Sequence, residues 1–312
     1  MKFIISLLIR ITWFSNLGEK LKYRLKHKSF TFKKTGWSIQ LYEYKNDVLN
    51  KKWKLKNIFG WFSRNFTELK NVVGIADPFL INYNSDIYVF FEVETVESKK
   101  NIGQIWTSRI NNNKFEKPFK VLSENYHLSF PNVFNYDGSF YMIPESHQNK
   151  TVSLYRSDNF PENWQLVKDL KSNVEFVDTN FVELKGVFYW FTYDLNINMT
   201  RLFFSDSLFE EWVEHNSSPI NLNRNAGAIF NDESGTLIRP VQISNNSYGE
   251  GVELLKISTL SKEDYKEEIV NPKFLYKSKG YNLDGVHHFS FLENEKIVIT
   301  DGLNNNFYKL IK

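Results

Sequence analysis

Phe130-Pro131-Asn132-Val133-Phe134-Asn135-Tyr136-Asp137-Gly138-Ser139-Phe140-Tyr141-Met142-Ile143-Pro144-Glu145 is the stretch whose reading decides the fold. An apolar run, a polar turn closed by Gly and a second aromatic run spell a β-hairpin. Gly takes positive φ at little steric cost, and Asp before it favours the turns that match strand twist. The phrase recurs as Asp77-Pro78-Phe79 through Phe91-Glu92, Asp178-Thr179-Asn180 through Thr192-Tyr193, Ala226-Gly227-Ala228 through Pro240-Val241, and Val286-His287-His288 through Thr300-Asp301. Each copy opens eleven residues before an anchor in its second strand. Those anchors are Tyr88, Tyr141, Tyr189, Leu237 and Ile297, at intervals of 53, 48, 48 and 60 residues. A period near fifty marks a supersecondary unit that must stack on its neighbours to bury its apolar face.

A second phrase keeps the same beat. Trp106-Thr107-Ser108, Tyr155-Arg156-Ser157-Asp158, Phe203-Phe204-Ser205-Asp206 and Lys256-Ile257-Ser258 each close a third short strand, and two of them run on to Trp164 and Trp212. Further turns fall at Leu184-Lys185-Gly186 and Asp232-Glu233-Ser234-Gly235. Units of three or four antiparallel strands repeated radially describe a β-propeller. Five copies predict an all-β fold of five blades over residues 37–312. Trp37 to Tyr44 and Phe307 to Ile311 read as strands outside the copies, and both are expected to join the fifth blade and close the ring.

The chain has 312 residues, 42% hydrophobic and 17% aromatic, enough for a sizeable core. It has no cysteine, which excludes disulfides, thiolate metal sites and a cysteine nucleophile. No apolar run approaches the roughly 20 residues needed to span a bilayer. Residues 1–70 hold 16 Lys or Arg against 4 Asp or Glu, a net of +12 within a chain of net +3. Phe14, Leu17, Leu21 and Leu25 recur at helical spacing among Lys20, Lys22, Arg24, Lys26 and Lys28. Residues 1–36 therefore read as a short basic amphipathic helical segment. It suits either packing on the propeller or peripheral contact with an anionic membrane through residues 1–28. Phe3 to Ile9 is apolar, but Arg10 interrupts it and no small-residue cleavage site follows. The expected location is cytoplasmic, with membrane association through this segment.

In a propeller the innermost strand of each blade lines the channel, so equivalent positions of successive copies converge on one mouth. The openings offer Asp77, Asp178, His287 and His288, and the loops before them add His127 and Arg224. The ends of the second strands add Glu92, Glu145, Arg239, Gln242 and Asp301. Carboxylates, imidazoles, guanidinium groups and an amide address hydroxyls, and aromatic faces stack on sugar rings. The candidate catalytic residues are Asp77, Glu145 and Asp178. The candidate substrate-binding residues are Glu92, His127, Arg224, Arg239, Gln242, His287 and His288. Adjacent His287 and His288 point to opposite faces of a strand, so one at most enters the channel, to hydrogen-bond substrate rather than to hold a metal. An Asp at a blade opening can alternatively cap backbone amides.

Ala76-Asp77-Pro78-Phe79, Tyr126 to Pro131, Met142 to Ser146, Arg239-Pro240-Val241-Gln242 and Asp284 to His288 occur in a recognisable order. Over about residues 70–305 the chain resembles the N-terminal propeller domain of glucosamine inositolphosphorylceramide transferases. It also resembles bacterial propeller proteins found alone or fused to sugar N-formyltransferases. More distantly it is similar to five-bladed glycosidases of the arabinanase, β-xylosidase and levansucrase kind. Those use an Asp in the first blade, an Asp in the third and a Glu in the fourth. Asp77 and Asp178 match the first two, but the fourth copy opens on Ala226-Gly227 and its second strand ends on Pro240-Val241. Glu250 and Glu253 follow only in the next strand.

The resemblance implies a carbohydrate-active propeller in surface-polysaccharide or glycolipid assembly, binding a sugar or glycan at the channel mouth. A glycosyltransferase or formyltransferase is the implied partner. Two alternatives stand beside it. One is an inverting glycoside hydrolase using Asp77, Asp178 and Glu145 or Glu250. The other is a non-catalytic glycan-binding or scaffold module. No cofactor and no metal is expected, because the chain lacks a glycine-rich phosphate loop and an Asp-x-Asp motif. Nucleic acid is not an expected partner, since the basic residues sit in one appendage without a stacking module.

Overall fold

A computed structural model describes residues 31–34, 36–60, 72–97, 100–278, 280–306 and 308–311. Its strands form five radial sheets, as the repeats require. Blade 1 runs outward from Val72–Tyr83 through Asp86–Glu97 and Lys100–Asn111 to the short Lys114–Phe115 and Phe119–Leu122. Blade 2 is Ser129–Tyr136, Ser139–Ser146, Thr151–Asn159 and Glu162–Ser172. Blade 3 is Phe176–Leu184, Val187–Asp194, Met199–Ser205 and Val213–Glu214. Blade 4 is Phe230–Asn231, Leu237–Ile243, Gly251–Leu260 and Tyr265–Tyr276. Blade 5 is Phe289–Leu292, Ile297–Leu303, Trp37–Tyr44 and Trp53–Phe59.

The hairpins turn where the sequence places them. Asp137 and Gly138 have φ of 48° and 74°, and Lys185 and Gly186 have 54° and 78°, the double positive φ of primed turns. The apolar faces pack between blades rather than within them. Ile143, Val152 and Leu154 of blade 2 cluster with Trp190 and Phe203 of blade 3. Phe90 and Ile105 meet Met142 and Tyr155 across blades 1 and 2. Phe191 and Leu202 meet Leu237 and Ile257 across blades 3 and 4, and Leu254 and Phe274 meet Phe289 and Val298 across blades 4 and 5. Leu41, Phe59 and Ile299 of blade 5 then pack on Val89, Phe91 and Val93 of blade 1. Every neighbouring pair of blades shares a core, so the ring is closed. Trp212 stacks on Trp190 with centroids 4.6 Å apart, and Trp164 lies edge-on to Phe90, which explains the repeated tryptophans.

Trp37–Tyr44 joins blade 5 beside Ile297–Leu303, so residues from both ends of the described chain build one sheet. The expectation for Phe307 to Ile311 fails. Tyr308–Ile311 pairs with Thr31–Lys34 as a separate two-stranded ribbon. Both flanks of Ile297–Leu303 and of Trp37–Tyr44 are already occupied, which leaves no inner place for it. The basic helix expected over residues 1–36 gains no support. Residues 1–30 lie outside the described residues, and Thr31–Lys34 is a strand. Among the described residues, no helix is long and apolar enough to cross a membrane.

The inner strands of blades 1 to 3 share a local distortion. The ladder slips between Ala76 and Phe79, between the partners of Ile143 and Glu145, and between Val177 and Asn180. Asp77, Phe130 and Asp178 sit in these bulges with φ of 52°, 43° and 51°. Left-handed backbone costs an L-residue roughly 1–2 kcal/mol, so three repeats of it mark a position where side-chain direction is fixed by the bulge.

Candidate functional site: a carboxylate cluster at the channel mouth

The bulges help to stitch neighbouring blades together. Asp77 Oδ2 accepts a hydrogen bond from the Phe130 amide at 3.1 Å, linking blade 1 to blade 2. Asn132 Nδ2 donates to the Thr179 carbonyl at 3.3 Å, and Asn180 donates to the Gly227 carbonyl. The Phe289 amide donates to the Ala226 carbonyl at 2.8 Å, and the Leu80 amide donates to Ser290 Oγ at 3.1 Å. At least one inter-blade bond thus crosses each of the five seams. Asp77 is part of this ring, which is the capping role the sequence leaves open.

Arg224 gathers the next two carboxylates. Its Nε donates to Asp178 Oδ2 at 2.6 Å, and its Nη2 lies 3.6 Å from Glu145 Oε2. Gln242 Nε2 donates to the same Asp178 oxygen at 3.0 Å, and His147 Nδ1 lies 2.7 Å from Glu145 Oε1. His287 Nδ1 pairs with Asp301 Oδ2 at 2.6 Å, while its Nε2 faces Asp77 Oδ1 at 3.4 Å. Asp301 Oδ1 also accepts the His287 and His288 amides at 2.9 and 3.0 Å. His127 Nε2 lies 3.0 Å from Glu92 Oε1 and its Nδ1 accepts the Gly103 amide. These contacts form three groups, Asp77 with His287 and Asp301, Glu145 and Asp178 around Arg224 with Gln242, and Glu92 with His127, and their charges act on one another across the groups.

One expected site residue goes elsewhere. Arg239 is fully buried, with Nε and Nη2 on the Glu267 carboxylate at 3.0 and 2.7 Å and Nη1 on Asn225 Oδ1. It braces Asn225, whose amide donates to the Asp178 and Phe191 carbonyls, and so supports the cluster without lining it. Glu267 also borders a separate polar cleft of about 450 Å³ on the outer flank, with Ser217, Ser258 and Lys266. His288 is fully buried, edge-on to Phe79 and Phe130, and its Nδ1 lies 3.7 Å from Asp77 Oδ1. Glu250, the stand-in acid for blade 4, holds Lys277 at 2.6 Å and the Asn246 amide, and Glu253 holds Asn223.

The titrations divide the cluster. Burial pushes the Asp77 carboxyl well above the usual range despite the pull of His287. Burial also raises Asp178, against the pull of Arg224. For Glu145, burial pushes upward, but the His147 hydrogen bond and the Arg224 charge outweigh it and hold the carboxyl below its ordinary value. Burial alone would lower His287, yet Asp301 and Asp77 push it up to about 9. Glu92 does the same for His127, against burial, to about 9. Buried His288 drops to about 3 and stays neutral. Asp77, His287 and Asp301 offer ligand atoms within 4.8 Å of one another, enough to consider a metal. The His287 imidazolium already supplies the positive charge between these carboxylates.

Sequence reasoning missed Tyr248, Trp37 and His147. Trp37 lies 4.1 Å from the His287 ring, and Tyr248 lies edge-on to both, at 6.3 and 5.2 Å. Arg224 stacks on Tyr248 at 5.4 Å. Tyr248 rides on the irregular 244–250 link of blade 4, the blade without an opening acid, and Gly249 and Gly251 beside it were the available signal.

The fold is a five-bladed β-propeller in which charged side chains of several blades interact. Residues 64–302 match the family described as Glucosamine inositolphosphorylceramide transferase 1, N-terminal, and the chain belongs to that family. It is 34% identical over 222 residues to Glucosamine inositolphosphorylceramide transferase 1 of Oryza sativa subsp. japonica, covering 67% of this chain and 29% of that protein. The Arabidopsis thaliana protein of the same name is 33% identical over 247 residues, covering 73% and 32%. The matched region spans about a third of those relatives. Among solved structures, an exo-β-1,3-galactanase from Clostridium thermocellum superposes with a TM-score of 0.55 at 17% identity, covering 76% of this chain and 59% of that one. A GH62 α-L-arabinofuranosidase catalytic domain from Coprinopsis cinerea gives 0.56 at 12%, covering 89% and 96%. These likenesses establish the fold.

Proposed function

We propose that the channel mouth binds a sugar or glycan without hydrolysing it, and that the protein serves glycosyl transfer in glycolipid or surface-polysaccharide assembly. The observation that carries this reading is the commitment of the carboxylates. Asp77 holds the blade seam, Arg224 and Gln242 hold Asp178, and His147 and Arg224 hold Glu145. Blade 4 brings no acid, since Ala226-Gly227 stands at its opening and Glu250 faces Lys277. Oriented acceptors and donors of this kind suit sugar hydroxyls. The family supports the setting, because the plant relatives are named for transfer to a glycolipid. A glycosyltransferase is the fitting partner, and the basic residues before position 37 suit an anionic membrane face.

One observation favours the hydrolase alternative. Asp77 is raised while Glu145 is lowered, the opposed pattern of an acid and a base. A glycan array on the purified chain separates the readings. Retention of a hexose-containing glycan, lost in Asp178→Asn at an unchanged melting temperature, supports binding. Shortened array glycans after incubation with the wild type, intact after Asp77→Asn, overturn it.

A further inference from the structure

Tyr248 is 49% exposed although its ring meets the buried His287. Arg224 lies against its ring, and Trp37 and His287 stand edge-on to it. With one face taken by the guanidinium, the exposed half of the residue presents the other face to solvent. The link that carries it is held in place rather than loose. Glu250 accepts from the Asn246 amide at 3.2 Å and pairs with Lys277 at 2.6 Å, and Lys277 also reaches Ser247 Oγ at 3.4 Å. The Val286 amide donates to the Gly249 carbonyl at 2.9 Å, tying the link to blade 5. Gly249, at φ 69°, lets the backbone pass where a Cβ would meet Trp37 at 3.1 Å and His287 at 3.2 Å. An aromatic face fixed over polar groups is pre-organised, which reduces the ordering cost of binding.

We propose that Tyr248 and Trp37 form a stacking subsite for a pyranose ring above the carboxylate cluster, and that the ring is neutral or amino-substituted rather than acidic. This rests on the sugar-binding reading of the same mouth. An apolar C–H face lies on the Tyr248 face away from Arg224, while hydroxyls at the sugar's edge reach past Trp37 and His287 toward the cluster. The charge preference follows from pairing. Arg224 is shared by Asp178 and Glu145, His127 faces Glu92, and His287 faces Asp301. Each of these cations already has a carboxylate, so a sugar acid would meet negative charge with no unmatched cation among them. Glu250 is then a positioning residue that latches the link.

Saturation-transfer NMR on the full chain tests this with methyl β-D-galactopyranoside, methyl β-D-glucopyranoside, D-glucosamine and D-glucuronate. Transfer to at least one neutral or amino sugar is expected, strongest at the protons of one ring face, with glucuronate silent. Tyr248→Ala should weaken affinity on the order of ten-fold and Tyr248→Phe should retain it, since ring stacking is worth up to about that factor. Glu250→Gln should weaken affinity less while leaving the ring-face pattern intact. Transfer in the wild type that Tyr248→Ala leaves unchanged overturns the subsite and spares the sugar-binding reading. A wild type silent toward every probe overturns both. Glucuronate binding as well as its neutral counterpart overturns the charge preference.

Discussion

Blades 3 and 4 occupy successive sectors of one ring and solve the same opening differently. Blade 3 places Asp178 in a left-handed bulge, buried beneath Arg224, at the start of a nine-residue inner strand. Blade 4 places Ala226-Gly227 there, and its inner strand shortens to Phe230–Asn231. Gly227 has φ 128°, and a Cβ on it would come 1.9 Å from the Phe289 carbonyl. The acid blade supplies charge; the glycine blade supplies closeness, letting the backbone of blade 4 approach the Phe289 carbonyl of blade 5. One slot in a radial repeat thus carries either chemistry or packing, and the asymmetry shapes the site.

The largest expected effect tests whether blade 4 is structural at its second strand. Arg239→Leu leaves Glu267 without its buried partner and should destabilise the fold by about 3–5 kcal/mol in urea unfolding. A loss under 1 kcal/mol would mean that Arg239 is free for ligand, as the sequence alone suggests. Next, Gly227→Ala should cost about 3 kcal/mol, because it combines a forbidden backbone with a carbonyl clash. Gly138→Ala, in a turn with open space around it, should cost only about 1 kcal/mol. Equal losses at the two glycines would remove the special status of the blade 4–5 seam.

A smaller effect is pH-dependent. His127 and His287 are raised to about 9, so both bind their protons more tightly folded than unfolded. The stability they contribute is complete below about pH 6.5 and is lost as pH rises toward 9. Urea midpoints should fall steadily across that window. His287→Gln should flatten the slope. An unchanged slope would show that the Asp301–His287 pair does not carry charge.

The blades were legible because hydrophobic period and turn chemistry are local, and five copies average out their irregularities. The cluster was legible for a related reason: radial symmetry converts equal positions into neighbours, which placed Asp77, Glu145, Asp178 and His287 together. Arg239 was misplaced by ignoring strand parity. Gln242 lies three residues away on the same regular strand, so the two side chains leave opposite faces, and only Gln242 reaches Asp178. Tyr248 was illegible because an irregular link has no period. Its position depends on Glu250, Lys277 and Val286, contacts that no spacing rule predicts. The Tyr308–Ile311 ribbon was missed because edge occupancy in blade 5 is a property of the whole sheet.

The central claim is that this mouth holds a sugar and leaves its glycosidic bond intact. Proton NMR of a glycan selected on the array, followed over hours with the full chain, reads both properties at once. The expected result is saturation transfer to the glycan with constant anomeric signals. In Asp178→Asn the affinity should fall by the roughly 1.5–3 kcal/mol of a hydrogen bond to a charged group. New reducing-end anomeric signals with the wild type, absent with Asp77→Asn, would contradict the account.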